Sequence, residues 1–173
     1  MTDDLLMTDE GVDRRVRVVT RWLENVSRAV ERRFDFEAQA DAMRAAADNL
    51  RALDYSDVQV SKSPTPDAIP EAIIAAEEMG ELYDALAGTV SEQVGKAQAA
   101  LAAMENQGGA RALSLYYLAF DANGRRKFDT WEKVCVEMSY SYDGMMKLAR
   151  RAKLELYDLM PHYEKPRVPR AFE

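Results

Sequence analysis

Between Val12 and Leu53 the chain contains neither proline nor glycine. Apolar residues recur there at Val12, Val16, Val19, Leu23, Val26 and Val30, in steps of 4, 3, 4, 3 and 4. That spacing is the seam of a coiled coil, narrower than the stripe of a helix lying on a globular core. The pattern loosens at Phe34 and Phe36 and resumes at Ala40, Met43, Ala47, Leu50 and Leu53, among good helix formers. One helix over 12–53 would be about 63 Å long. A chain of 173 residues has use for such a rod only if another helix runs beside it.

Residues 54–67 hold two prolines among short polar side chains and read as a loop, with Asp67 placed to cap the next helix. A second arm is expected over 68–105, its apolar positions Ile69, Ile73, Ala76, Tyr83, Leu86, Val90, Val94, Ala97, Leu101 and Met104 again mostly three or four apart. Gly80, Gly88 and Gly95 interrupt it; close approach of a neighbouring helix explains them better than a kink, because the seam continues through them. Asn106-Gln107-Gly108-Gly109 reads as its end. The expectation is an all-α chain: residues 1–109 a long antiparallel hairpin of coiled-coil-like arms, 110–160 a compact head, and 161–173 a proline-containing tail. Two helices bury little, so the hairpin is expected to pack on a second copy, as a homodimer through 12–105, or on the head.

Charge divides along the same line. Residues 1–109 carry 11 basic and 21 acidic side chains, residues 110–173 carry 12 and 9. An acidic arm joined to a mildly basic head excludes a uniformly basic nucleic-acid binder. One cysteine, Cys135, and one histidine, His162, leave no disulfide framework and no Cys/His zinc cluster. No nucleophile–base pair or phosphate loop is present, so neither an enzyme nor a cofactor is expected. The acidic Met-Thr-Asp-Asp start is unlike a secretory signal, and no apolar run approaches the roughly 20 residues that span a bilayer. A cytoplasmic protein without membrane contact is expected.

In the head, helices are expected over 110–122, stopped by Asn123-Gly124, over 130–138, capped by Asp129 or Thr130, and over 142–159, capped by Ser141 and stopped by Pro161. Two short helices joined by about three residues, the second longer and basic, form the sequence picture of a helix-turn-helix. Lys147, Arg150, Arg151 and Lys153 lie on the second helix, and Arg125, Arg126 and Lys127 in the loop before the first. Such cations are what phosphate contact requires. The competing reading is a plain three-helix bundle with solvated charges.

The stretch Leu115–Phe120, followed by Thr130-Trp-Glu-Lys-Val-Cys-Val-Glu-Met-Ser-Tyr-Ser141, resembles the phage ArpU/RinA-type transcriptional regulators and region four of bacterial sigma factors. The layout of two long helices before the head is similar to that phage family. The resemblance implies that Trp131 and Val134 are core, that Met145, Leu148 and Ala152 face inward, and that Tyr142, Asp143, Met146, Lys147 and Arg150 face a major groove. Asp143 and Gly144 depart from the family pattern, which offers long or basic side chains there. The implied function is that of a phage or prophage DNA-binding transcription regulator, a late-gene activator for example, acting on double-stranded DNA and near RNA polymerase. The alternatives are a packaging protein similar to a small terminase subunit, and a protein-interaction module that does not bind DNA. Cys135 reads as a small core residue rather than a redox thiol, and Glu77-Glu78 as a solvated patch.

Overall fold

A computed structural model describes residues 9–51 and 68–165; the expected 54–67 loop, the Asp67 cap and the tail beyond 165 lie outside the described residues. The chain is all-α. It forms α1 (Asp9–Arg51), α2 (Ala68–Ala102), α3 (Gln107–Leu118), α4 (Trp131–Met138) and α5 (Tyr142–Leu159), followed by a 3-10 turn at His162–Glu164. No described helix is long and apolar enough to cross a membrane.

The chain divides into two compact units, one of residues 1–30 and 92–173, the other of 31–91. The boundary differs from the expected division at 109/110, and the reason lies in what α1 buries. Val19, Leu23 and Val26 are fully covered, and so is Trp22, with only 6% exposure. They share one core with Ala97 and Leu101 from the end of α2, Met104 just after it, Leu113 and Tyr117 of α3, and Ala152 and Leu156 of α5. The expected narrow seam is therefore corrected to the broader stripe of a helix on a globular core. Trp22 lies beside the 4-3 positions and widens that stripe. Of the seam residues of α1, Val19, Leu23 and Val26 pack on the head.

α2 runs unbroken through its three glycines. At Gly80 a Cβ would lie 3.1 Å from the Arg44 guanidinium, a close approach by a side chain. Gly88 and Gly95 have nothing within 4 Å of that position, so close helix approach does not account for them. In the second unit Tyr83 lies beside Glu37 while Gly80 meets Arg44, so contacts run in opposite senses along the two helices. The net negative charge lies in this unit: residues 31–91 hold 5 basic and 13 acidic side chains, against 18 and 17 in the rest.

The expected stop at Gly108-Gly109 is also corrected. α2 ends at Ala102, and both glycines lie in the first turn of α3. Asn106 caps that turn, its Oδ1 accepting from the Gly109 N–H at 2.9 Å. A Cβ on Gly109 would fall 2.6 Å from the Ala152 Cβ, so the missing side chain lets α3 lie directly against α5. From α5 the Glu155 carboxylate accepts from the N–H groups of Glu105 and Asn106, tying the α2–α3 junction down. α3 stops at Leu118, not at Asn123-Gly124. That pair forms the tip of a tight loop closed by an antiparallel bridge between Phe120 and Arg126. Asp121 Oδ1 accepts from the N–H groups of Asn123 and Arg125, and Gly124 takes φ 72°, which glycine adopts at little cost.

Candidate nucleic-acid interface

α4 begins at the extended Thr130, whose hydroxyl makes no capping bond. Asp129 pairs instead with Lys133 at 2.6 Å, and that hydrogen bond holds its carboxyl below the ordinary aspartate range. The helix ends at Ser139 in the left-handed conformation, φ 57°, with the Tyr140 N–H bonded to the Cys135 carbonyl at 2.9 Å. A non-glycine residue there costs about 1–2 kcal/mol, which the closed helix end and the packing on either side offset. Two residues later Ser141 Oγ accepts from the Gly144 N–H at 3.2 Å and starts α5. A Cβ on Gly144 would sit 3.0 Å from that oxygen. Glycine here leaves room for the cap.

The inner face of this pair is apolar. Val134 and Cys135 of α4 join Met145 of α5, Ala112 of α3 and Phe128 in a second core cluster. Cys135 is thus a small core residue, 8% exposed. Ala149, Ala152 and Leu156 continue the buried side of α5, while Leu148 is only half-buried and Leu159 is exposed. Trp131 is also half-buried, at the rim between the two clusters. It stacks on Tyr116 with ring centroids 4.1 Å apart and planes 6° from parallel, and meets Tyr117 edge-on at 6.4 Å.

The cations expected to face a ligand divide into three groups. Lys147 and Arg151 are exposed on the outer side of α5 and make no ion pair among the described residues. Tyr142 and Asp143 stand at the start of the same helix, both exposed. Arg150 is exposed but committed: it donates to Asp13 Oδ1 of α1 at 2.9 Å. Lys153 turns the other way. Its ammonium lies 5.5 Å from the Tyr117 ring and 5.8 Å from Trp131, and burial pushes its pKa below the usual lysine value while Glu24 opposes the shift. Met146 is half-buried against the second cluster, on the flank of α5. In the preceding loop Arg125 is exposed, Arg126 is half-buried with its guanidinium 5.9 Å from the Tyr116 ring, and Lys127 sits 5.5 Å from Phe128. Residues 129–151 hold four basic and four acidic side chains, so this surface is locally neutral and its cations act as individual charges.

Sequence reasoning missed a second group of cations in the same unit. Arg14, Arg17 and Arg21 line a groove of about 500 Å³ with Val18, Trp22, Asn25 and Glu164. The signal was available: the three arginines stand at i, i+3 and i+7, one helical face. The apolar seam on the adjoining face of the helix is the stronger pattern and masks it. Glu77 and Glu78 are exposed, and no described group of His, Cys, Asp or Glu could hold a metal ion. Comparison with known proteins finds no family model, no curated protein and no solved structure that matches this chain.

Proposed function

We propose that α4, the Ser139–Tyr140–Ser141 turn and α5 form a helix-turn-helix that binds double-stranded DNA, with α5 as the helix laid in the major groove, and that the protein regulates transcription. One observation carries the reading. The turn ends one helix in the left-handed region and caps the next within three residues, so α5 buries Met145, Ala149 and Ala152 while offering Tyr142, Lys147 and Arg151 outward. Lys147 and Arg151 supply phosphate contacts, Tyr142 and Asp143 stand where base edges are read, and Arg125 extends the contact from the loop. The resemblance to ArpU/RinA-type regulators and sigma region four supports the same use and makes RNA polymerase a reasonable second partner.

The test is a titration of duplex DNA at two salt concentrations with wild type and the Lys147→Ala/Arg151→Ala variant. Two lost phosphate contacts are expected to lower the salt slope by about 1.8, at 0.9 per contact. Equal binding by both proteins removes α5 from DNA recognition. A second reading has its own observation: Val136 is 81% exposed, close in the chain to Tyr140 at 46% and Tyr142 at 49%. Such exposed apolar groups suit a protein partner, and binding of a partner protein that Val136→Asp abolishes, without DNA binding by wild type, would favour that reading. A packaging role similar to a small terminase subunit would show as a ring of subunits in sedimentation.

A further inference from the structure

We propose that the groove along the first turns of α1 is a second, separate binding site, for phosphate groups in series. Arg14, Arg17 and Arg21 line it, over Val18 and Trp22, with Asn25 at one end and Glu164 of the 3-10 turn also on its wall. None of the three arginines makes a hydrogen bond or ion pair among the described residues. Their neighbours on the same helix do: Arg15 pairs with Asp158 at 3.8 Å and Arg28 with Glu24 at 3.8 Å. Glu164 shares the groove, yet no ion pair links it to any of the three. Three like charges at three- and four-residue spacing repel one another, and no ion pair among the described residues relieves them.

The residue type and the spacing select the ligand. Guanidinium groups hold phosphate oxygens through two parallel hydrogen bonds, which an ammonium cannot do. From Arg14 to Arg21 the helix rises about 10.5 Å. The three guanidinium groups stand in series along one helical face, so each can take a successive phosphate of one strand or one polyphosphate. Asn25 adds an amide donor, and the Trp22 ring gives the groove an apolar floor that lowers the local dielectric and strengthens each contact. A groove of about 500 Å³ admits two or three phosphates, whether they belong to a nucleic-acid strand or to a free polyphosphate. Glu164 is the opposing element: it faces any bound anion and weakens it.

The experiment uses the full chain, with inorganic tripolyphosphate and duplex DNA titrated in parallel. Arg14→Gln/Arg17→Gln/Arg21→Gln is expected to lose at least tenfold in tripolyphosphate affinity, and Glu164→Gln to bind it severalfold tighter. If a nucleic-acid strand is the natural source, the triple variant also lowers the DNA salt slope by about 2.7, at 0.9 for each of three contacts. If only tripolyphosphate binding weakens, the site takes a free polyphosphate. The Lys147→Ala/Arg151→Ala variant should leave tripolyphosphate binding unchanged, so this site and the α5 reading fail separately. Circular dichroism checks the fold. Should the triple variant lose helix, Arg17→Gln and Glu164→Gln carry the test, the first weakening and the second tightening binding. Affinities equal to wild type for both ligands overturn the proposal.

Discussion

Arg150, on the helix proposed to enter DNA, is hydrogen-bonded to Asp13 at the other end of the chain, 2.9 Å from guanidinium to carboxylate. The two side chains are 52% and 61% exposed, so the pair contributes little to stability, at most about 1 kcal/mol. Its larger effect is on availability, because a cation already paired must release its carboxylate before it meets a phosphate. Asp13→Asn is therefore expected to lower the melting temperature slightly and to tighten DNA binding severalfold, most at low salt. A titration that shows no gain would make Arg150 a tie between α1 and α5 and nothing more.

Gly109 and Gly95 give a prediction with opposite signs. In an exposed helix Gly→Ala is stabilising by about 0.4–1 kcal/mol, since it restricts the unfolded chain. Gly95 has open space around it, so Gly95→Ala should gain that amount. At Gly109 the new Cβ would meet the Ala152 Cβ at 2.6 Å and the Asn106 amide at 2.7 Å. The Ala152 Cβ cannot yield without moving α5, and the Asn106 amide is held by its cap bond to Gly109, so Gly109→Ala should cost about 1–3 kcal/mol from overpacking. Urea unfolding of the two variants checks both. A stabilised Gly109→Ala would mean that α3 and α5 are not in close contact there.

What could be read ahead of the structure depended on how local its cause was. α5 matched its expected span because each signal is local: the Ser141 cap, Asp143 in the first turn, and Pro161 after the end. The continuity of α1 was legible for the same reason, an unbroken run of helix formers. Gly108-Gly109 resembles a helix stop, whereas Gly109 answers to Ala152, more than forty residues away. The 4-3 rhythm does not need Trp22, and only the head core shows what it covers. Arg150 and Lys153 read as two equal cations on one helix. Asp13 occupies the first and the Tyr117–Trp131 rings take the second, and no pattern in 142–159 reveals either partner.

The Tyr116–Trp131 stack predicts a measurable coupling. Trp131 is half-buried, so Trp131→Ala should cost about 2–3 kcal/mol, less than the 3–5 of a fully enclosed ring. Tyr116→Ala should cost less again, and the double variant less than the sum of the two. Parallel rings 4.1 Å apart are expected to give a coupling of about 0.5–1.5 kcal/mol in a double-mutant cycle followed by urea unfolding. Strict additivity would mean that the rings share a space without interacting.

Lys153 and Tyr117 lie side by side and shift stability with pH in opposite directions. Burial lowers the Lys153 pKa from 10.5 in the folded chain, against partial compensation from Glu24. Below 10.5, therefore, a window exists in which the unfolded chain holds the proton and the folded chain has lost it. There the unfolded state binds more protons, and stability rises with pH. Tyr117 behaves inversely. Burial raises its pKa from 10.0, so above that value the unfolded chain sheds a proton that the folded chain keeps, and stability falls. In the wild type the two slopes partly cancel near pH 10. Tyr117→Phe keeps the ring and removes the second slope, so its stability should climb visibly as pH approaches 10.5. Adding Lys153→Met should raise stability at pH 7, where desolvation of the half-buried ammonium is a cost, and abolish that climb. Urea unfolding of the single and double variants between pH 7 and 10.5 checks it, and a climb that persists without Lys153 would assign the effect to another group.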